Sequence, residues 1–179
     1  MKKNKGITMV ALVITIIVLI ILSGISVGTA NKIIKSSELE NLKTNMLLIK
    51  VKGKEYIENA NFKLGTNIES SSDKESKVTA AKEELKGEEI TSSNIFDGNI
   101  NITQDTITND NANYIYYYKL STEDLKDMGI SNVKSDEKKG CYIIKYDIKN
   151  MEIEVYNTTG FENEGKVYYS STEIQNLNI

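Results

Sequence analysis

From Gly6 to Asn31 the chain carries no charged residue. Within that interval Ile7 to Leu22 is apolar except for Thr8 and Thr15. Continued to Val27, the run reaches about 20 residues, the length at which a helix spans the hydrocarbon core of a bilayer. The remainder is polar enough to hold the mean hydropathy at −0.33. Lys2, Lys3 and Lys5 stand just before the run. By the positive-inside rule the short leader stays cytoplasmic and everything after residue 30 lies outside.

Composition then removes classes of function. All 22 basic residues are Lys, and Arg, His, Pro and Trp are absent. Without His there is no Ser-His-Asp triad, no Cys-His dyad and no imidazole metal ligand. A lone Cys, Cys141, excludes an internal disulfide and a zinc knuckle. Without Arg, bidentate reading of phosphate or guanine is lost. With 25 acids the net charge is −3, which does not favour nucleic acid as a partner. The acids Glu83, Glu84, Glu88 and Glu89 read as a solvated face, since nothing places two carboxylates in an apolar pocket. No catalytic residue, no cofactor and no metal is expected. Asp97-Gly98-Asn99 and Asp105, Asn109 and Asp110 carry oxygens suited to Ca²⁺, but neither run fits an EF-hand loop, and turn chemistry explains both.

Three readings compete for the apolar run. One is an uncleaved signal anchor. Another is a secretory signal peptide with Gly28-Thr29-Ala30 as its cleavage site, leaving a chain that starts at Asn31. The third rests on the front edge, Lys5-Gly6-Ile7-Thr8-Met9-Val10-Ala11-Leu12. A short basic leader ends in Gly, and the apolar run starts on the next residue. This resembles the class III signal peptide of type IV pilins and pseudopilins. The resemblance implies cleavage between Gly6 and Ile7 by a prepilin peptidase, methylation of the new amine on Ile7, and retention of the apolar segment as the core of a filament. It covers about the first 30 residues. The family usually has Glu as the fifth residue after the cut, where this chain has Ala11. That Glu is thought to pair with a neighbouring subunit's terminal amine, so its absence points to a minor or divergent subunit. Gly24 and Gly28 form a G-x-x-x-G spacing that permits close helix contact, and Gly28 stands where many pilins have Pro.

Beyond residue 30 the pattern turns amphipathic. Leu39, Leu42, Met46, Ile49, Gly53, Tyr56 and Ala60 recur at spacings of three and four, one helical stripe. No Pro interrupts, so one helix is predicted from about Ile7 to about Asn61, roughly 80 Å long. Such continuity is unnecessary for a removable signal peptide and fits a pilin. Heptad-like spacing also suits a juxtamembrane coiled coil.

Residues 62–113 are weakly patterned. Ser76 to Leu85 predicts a helix, and Ile100, Ile102 and Ile107 among Asn and Thr predict loops with a short strand or two. Tyr114 to Leu120 is a strand, and Ser121 opens a short helix that stops at Gly129. Cys141 to Ile148 and Met151 to Tyr156 alternate as a hairpin with one buried and one wet face. A loop holding Gly160 and Gly165 leads to a third strand at Val167-Tyr168-Tyr169, and Ser171 to Leu177 makes a last helical turn. The tyrosines fit strand positions in a chain without Trp; the alternative is a carbohydrate or adhesive surface.

The expectation is therefore an α+β chain. Residues 1–6 are a leader, 7–30 a transmembrane or filament-core helix, 31–61 its amphipathic continuation, and 62–179 an extracellular head with a small antiparallel sheet packed on the helix. Its expected role is a structural subunit of a type IV pilus or pseudopilus, with other such subunits, the peptidase and the membrane as partners. It would reside in the cell membrane as a single-pass protein and then in a surface filament. The alternative is a signal-anchored or secreted extracellular binding protein that does not assemble.

Overall fold

The computed structural model describes residues 9–96, 100–136 and 140–178, and in its first helix the side chains of Thr15–Ile17, Leu19 and Lys32 onward. The chain divides into a unit that ends at Glu40 and a second from Asn41 to Asn178. Helix α1, Met9–Leu64, begins in the first unit and ends in the second. Its backbone stays helical through Gly24 and Gly28. Each glycine costs about 1 kcal/mol of helix propensity against Ala, too little to break a helix of this length.

Gly6 and Ile7 lie outside the described residues, as do most side chains of the apolar run. Among the described residues no helix is long and apolar enough to cross a membrane. The coarse expectation of a long helix and a small antiparallel sheet agrees with the structure.

In the second unit α1 buries Met46, Ile49, Gly53, Ile57, Ala60 and Leu64. Leu42 and Tyr56, assigned to this stripe by spacing, are only half-buried, and Ile57 occupies the centre in place of Tyr56. A 3.6-residue period lets either neighbour serve the face, and the larger polar-tipped ring is the one displaced to its margin. Gly65, with φ +76°, ends the helix and donates its N–H to Asn61 O.

After a 3₁₀ turn at Ile68–Ser70 come α2 (Lys74–Glu83), β1 (Glu88–Glu89), a second 3₁₀ turn at Ser93–Phe96, and α3 (Gln104–Ala112). Strand β2 (Ile115–Leu120), α4 (Thr122–Asp127), β3 (Tyr142–Asp147), β4 (Glu152–Asn163), β5 (Lys166–Ser170) and α5 (Ser171–Gln175) follow. The sheet is an antiparallel meander in the order β1-β2-β3-β4-β5.

One face of this sheet lies on α1. Tyr118, Ile144 and Val155 stand in one cross-strand row, and Tyr116, Tyr146 and Ile153 in the next. The rings of Tyr118 and Tyr146 meet edge to face at 5.7 Å. The helix comes close because Gly53 has no side chain. A β-carbon there would lie 2.8 Å from Ile144 Cδ1 and 3.1 Å from Ile153 Cδ1.

The opposite face differs from the wet surface that alternation predicts. Tyr117 and Ile143 point to it, and both are buried. They join Ile90, Phe96, Ile100, Ile102 and Ile107 in a second apolar cluster. Part of the predicted loop and strand region is thus a cover for the sheet, and Ile107 belongs to a helix. Thr103 caps that helix by accepting the N–H of Thr106, a signal that the surrounding Asn and Thr hide in the sequence.

Two other boundaries are corrected. The Gly160 segment, expected as a loop, continues β4 to Asn163 through an irregular register. Asn157 Oδ1 accepts the N–H groups of Thr159 and Gly160 there, and Gly160 takes φ +66°. The Glu88-Glu89 pair, read as part of a solvated face, forms a short edge strand on which Glu88 is exposed and Glu89 is half-buried and paired with Lys82 at 2.5 Å.

Candidate assembly helix and head surfaces

The residues singled out for processing and assembly fall at the start of the chain. Gly6 and Ile7 are outside the described residues; Ala11, Gly24 and Gly28 lie within α1. In the second unit the side of α1 away from the sheet is not wholly polar. Leu47, Leu48 and Val51 are 50%, 42% and 57% exposed, interspersed with Lys50, Lys52 and Lys54. A helix whose only task was to close a core would carry polar groups there.

Polar contacts tie the covers to the sheet. The Tyr117 hydroxyl donates to Asp110 Oδ2 at 2.5 Å, and Lys145 Nζ lies 3.1 Å from the same oxygen. This clamps α3 to β2 and β3. Burial, followed by the bond to Asp110, pushes the Tyr117 hydroxyl well above the usual tyrosine range. Asp110, considered by sequence as a Ca²⁺ oxygen, is instead committed to this clamp. The Asp97-Gly98-Asn99 run lies outside the described residues. Among the described residues no group of three or more acids and Cys is arranged to hold a metal.

A second hub is Glu69, in the turn after α1. Lys149 donates to Oε1 at 2.8 Å, and Lys74 and the Tyr114 hydroxyl donate to Oε2 at 3.0 and 3.1 Å. These bonds, from Lys149 first and then Lys74 and Tyr114, hold the carboxyl down to about 2. Cys141 is buried, and its backbone exchanges hydrogen bonds with Thr158.

Recesses among the described residues of the head include three with defined walls. One of about 820 Å³ lies at the end of α1, between Phe62, Leu64 and the β3–β4 turn at Lys149–Met151. The others, of about 340 and 230 Å³, share Tyr156 as a wall. Sequence reasoning missed this pair, because one recess joins residues 100–102 to Tyr156 and the chain after it, the other joins Ile115 to the β3–β4 hairpin, and no spacing links them. The only advance signal was the surplus of tyrosine.

The chain matches no known family, no curated protein and no solved structure.

Proposed function

We propose that the chain is a structural subunit, minor or divergent, of a type IV pilus or related pseudopilus. Prepilin peptidase would cut it between Gly6 and Ile7, and the hydrophobic start of α1 would hold it first in the membrane and then in a filament. The observation that carries this reading is the unbroken helix from Met9 to Leu64, which joins the apolar run to the stripe that packs on the sheet. A leader made only for export has no need of such a join. The basic residues Lys2, Lys3 and Lys5 ending at Gly6 support the same processing. The head then serves as a surface module, and helix-to-helix packing supplies the assembly energy.

The experiment is to purify surface filaments from the native source and measure the intact mass and abundance of this chain. A methylated chain starting at Ile7, present at a small fraction of the main subunit, is expected. A chain starting at Asn31, an intact Met1, or absence from filaments would overturn the proposal. Abundance equal to the main subunit would show that Ala11 does not mark a minor role, and that another group satisfies the buried amine.

A further inference from the structure

We infer that the sheet face turned away from α1 carries a saccharide-binding cleft centred on Tyr156. Tyr156 pairs across the sheet with Ile143, which is wholly buried, so its ring is held on a fixed strand position. It is half-buried and forms the common wall of the 340 and 230 Å³ recesses. The larger recess sets Tyr156, Tyr169 and Ile102 beside Asn101, Ser170 and Glu173. That is an apolar, partly aromatic floor with hydrogen-bonding groups at its margin.

A pyranose ring has the matching character, an apolar C–H face and a rim of hydroxyls. Aromatic side chains with a polar tip suit such a surface. The margin is pre-set. Glu173 Oε2 receives the N–H groups of Tyr169 and Ser170 at 3.4 Å each and the Ser170 hydroxyl at 3.3 Å. Its carboxylate is therefore fixed at the wall before any ligand arrives. Asn101 is exposed and offers both a donor and an acceptor.

The smaller recess decides the kind of sugar. Asp147, Glu152 and Glu154 line it with a single cation, Lys145. Lys145 is already paired with Asp110. The local charge is negative, so sugar acids are repelled and neutral or amino sugars are accepted. Burial, then the charges of Glu154, Asp110 and Glu173, raises the Tyr156 hydroxyl above its ordinary range, which keeps it neutral and able to donate. The cleft is independent of filament assembly, and each stands if the other falls.

The test uses the full chain in a zwitterionic detergent that contains no sugar. The probes are N,N′-diacetylchitobiose, the glucosamine disaccharide and digalacturonate, followed by calorimetry and by tyrosine fluorescence. Saturable binding of the first two is expected, with the acidic disaccharide at least about tenfold weaker. Asn101→Ala, a surface change, weakens binding about tenfold, the loss of one well-made hydrogen bond. Tyr156→Leu removes the ring and abolishes it, with circular dichroism as the check on folding. Failure of all three sugars to saturate, equal binding of the acidic one, or an undiminished Asn101→Ala variant overturns the inference.

Discussion

The two faces of the sheet are covered by different means. On one side a regular helix supplies Met46, Ile49, Ile57, Ala60 and Leu64, all buried, and approaches closely at Gly53. On the other a nine-residue helix and irregular chain supply Ile90, Phe96, Ile100, Ile102 and Ile107. Both covers also make polar contacts: on the helix Asn61 Nδ2 donates to Ile148 O at 2.8 Å, and on the other side Asp110 joins Tyr117 and Lys145. The helical cover depends on area and shape, and is strong because dispersion and burial scale with contact. The irregular cover buries a similar set of apolar groups, but only part of it is helical and it adds individual side-chain bonds. Opening it first is the expected order of local unfolding.

Ile57→Asp breaks the comparison most severely. It puts an unpaired charge under the sheet at a site with no exposure. A loss of more than about 4 kcal/mol is expected, enough to unfold most heads, since uncompensated buried charge is among the costliest single changes. Loss of the cooperative thermal transition in circular dichroism checks it.

Phe96→Ala acts on the other cover. Its ring meets Tyr117 edge to face at 5.8 Å. Truncation is expected to cost about 3–5 kcal/mol against full folding, less if the cover detaches alone. Hydrogen exchange decides between these. Faster exchange confined to residues 90–112, with β3 and β4 still protected, shows that the covers are separable; uniform loss of protection shows that they are not.

Asp110→Asn sharpens the comparison further. It keeps the shape but removes the charge that Lys145 and Tyr117 share. A loss of about 1.5–3 kcal/mol is expected, the range for hydrogen bonds to a charged group. Denaturant melts of this variant, of Tyr117→Phe and of the double variant give the coupling. Strictly additive losses would show that the clamp is not one unit.

The smallest effect is pH-dependent and belongs to neither cover. Glu69 has a folded pKa held down to about 2 from 4.5. A depressed carboxylate stabilises the folded state above its unfolded pKa, and that contribution is lost as pH falls toward the folded one. The melting temperature is therefore expected to fall from about pH 4.5 to about pH 2 more in the natural chain than in Glu69→Gln. Because the carboxylate is exposed, the difference should shrink in high salt. Parallel acid slopes for the two chains would remove Glu69 from the account.

How far the fold was legible follows the range of the interactions involved. The long helix, the capped helix after Ser121 and the hairpin of β3 and β4 were readable, because period, caps and alternation act over a few neighbouring residues. Ser121 shows this well, since its side chain and that of Asp124 form a reciprocal capping box within one turn. Alternation also placed Ile144, Tyr146, Ile153 and Val155 on one face, where they are buried.

The same alternation gave the wrong outcome at Ile143, because a period of two says which residues share a face and not what covers it. Only the tertiary structure decided that residues 90–96 and 100–112 fold over that face, that Asp110 clamps Tyr117 and Lys145, and that Tyr156 stands between two recesses. The first group of features is decided by local sterics and hydrogen bonds, which the sequence carries in order. The second is decided by which distant segments bury one another, a choice set by the whole chain's apolar surface, for which neighbouring residues hold no record.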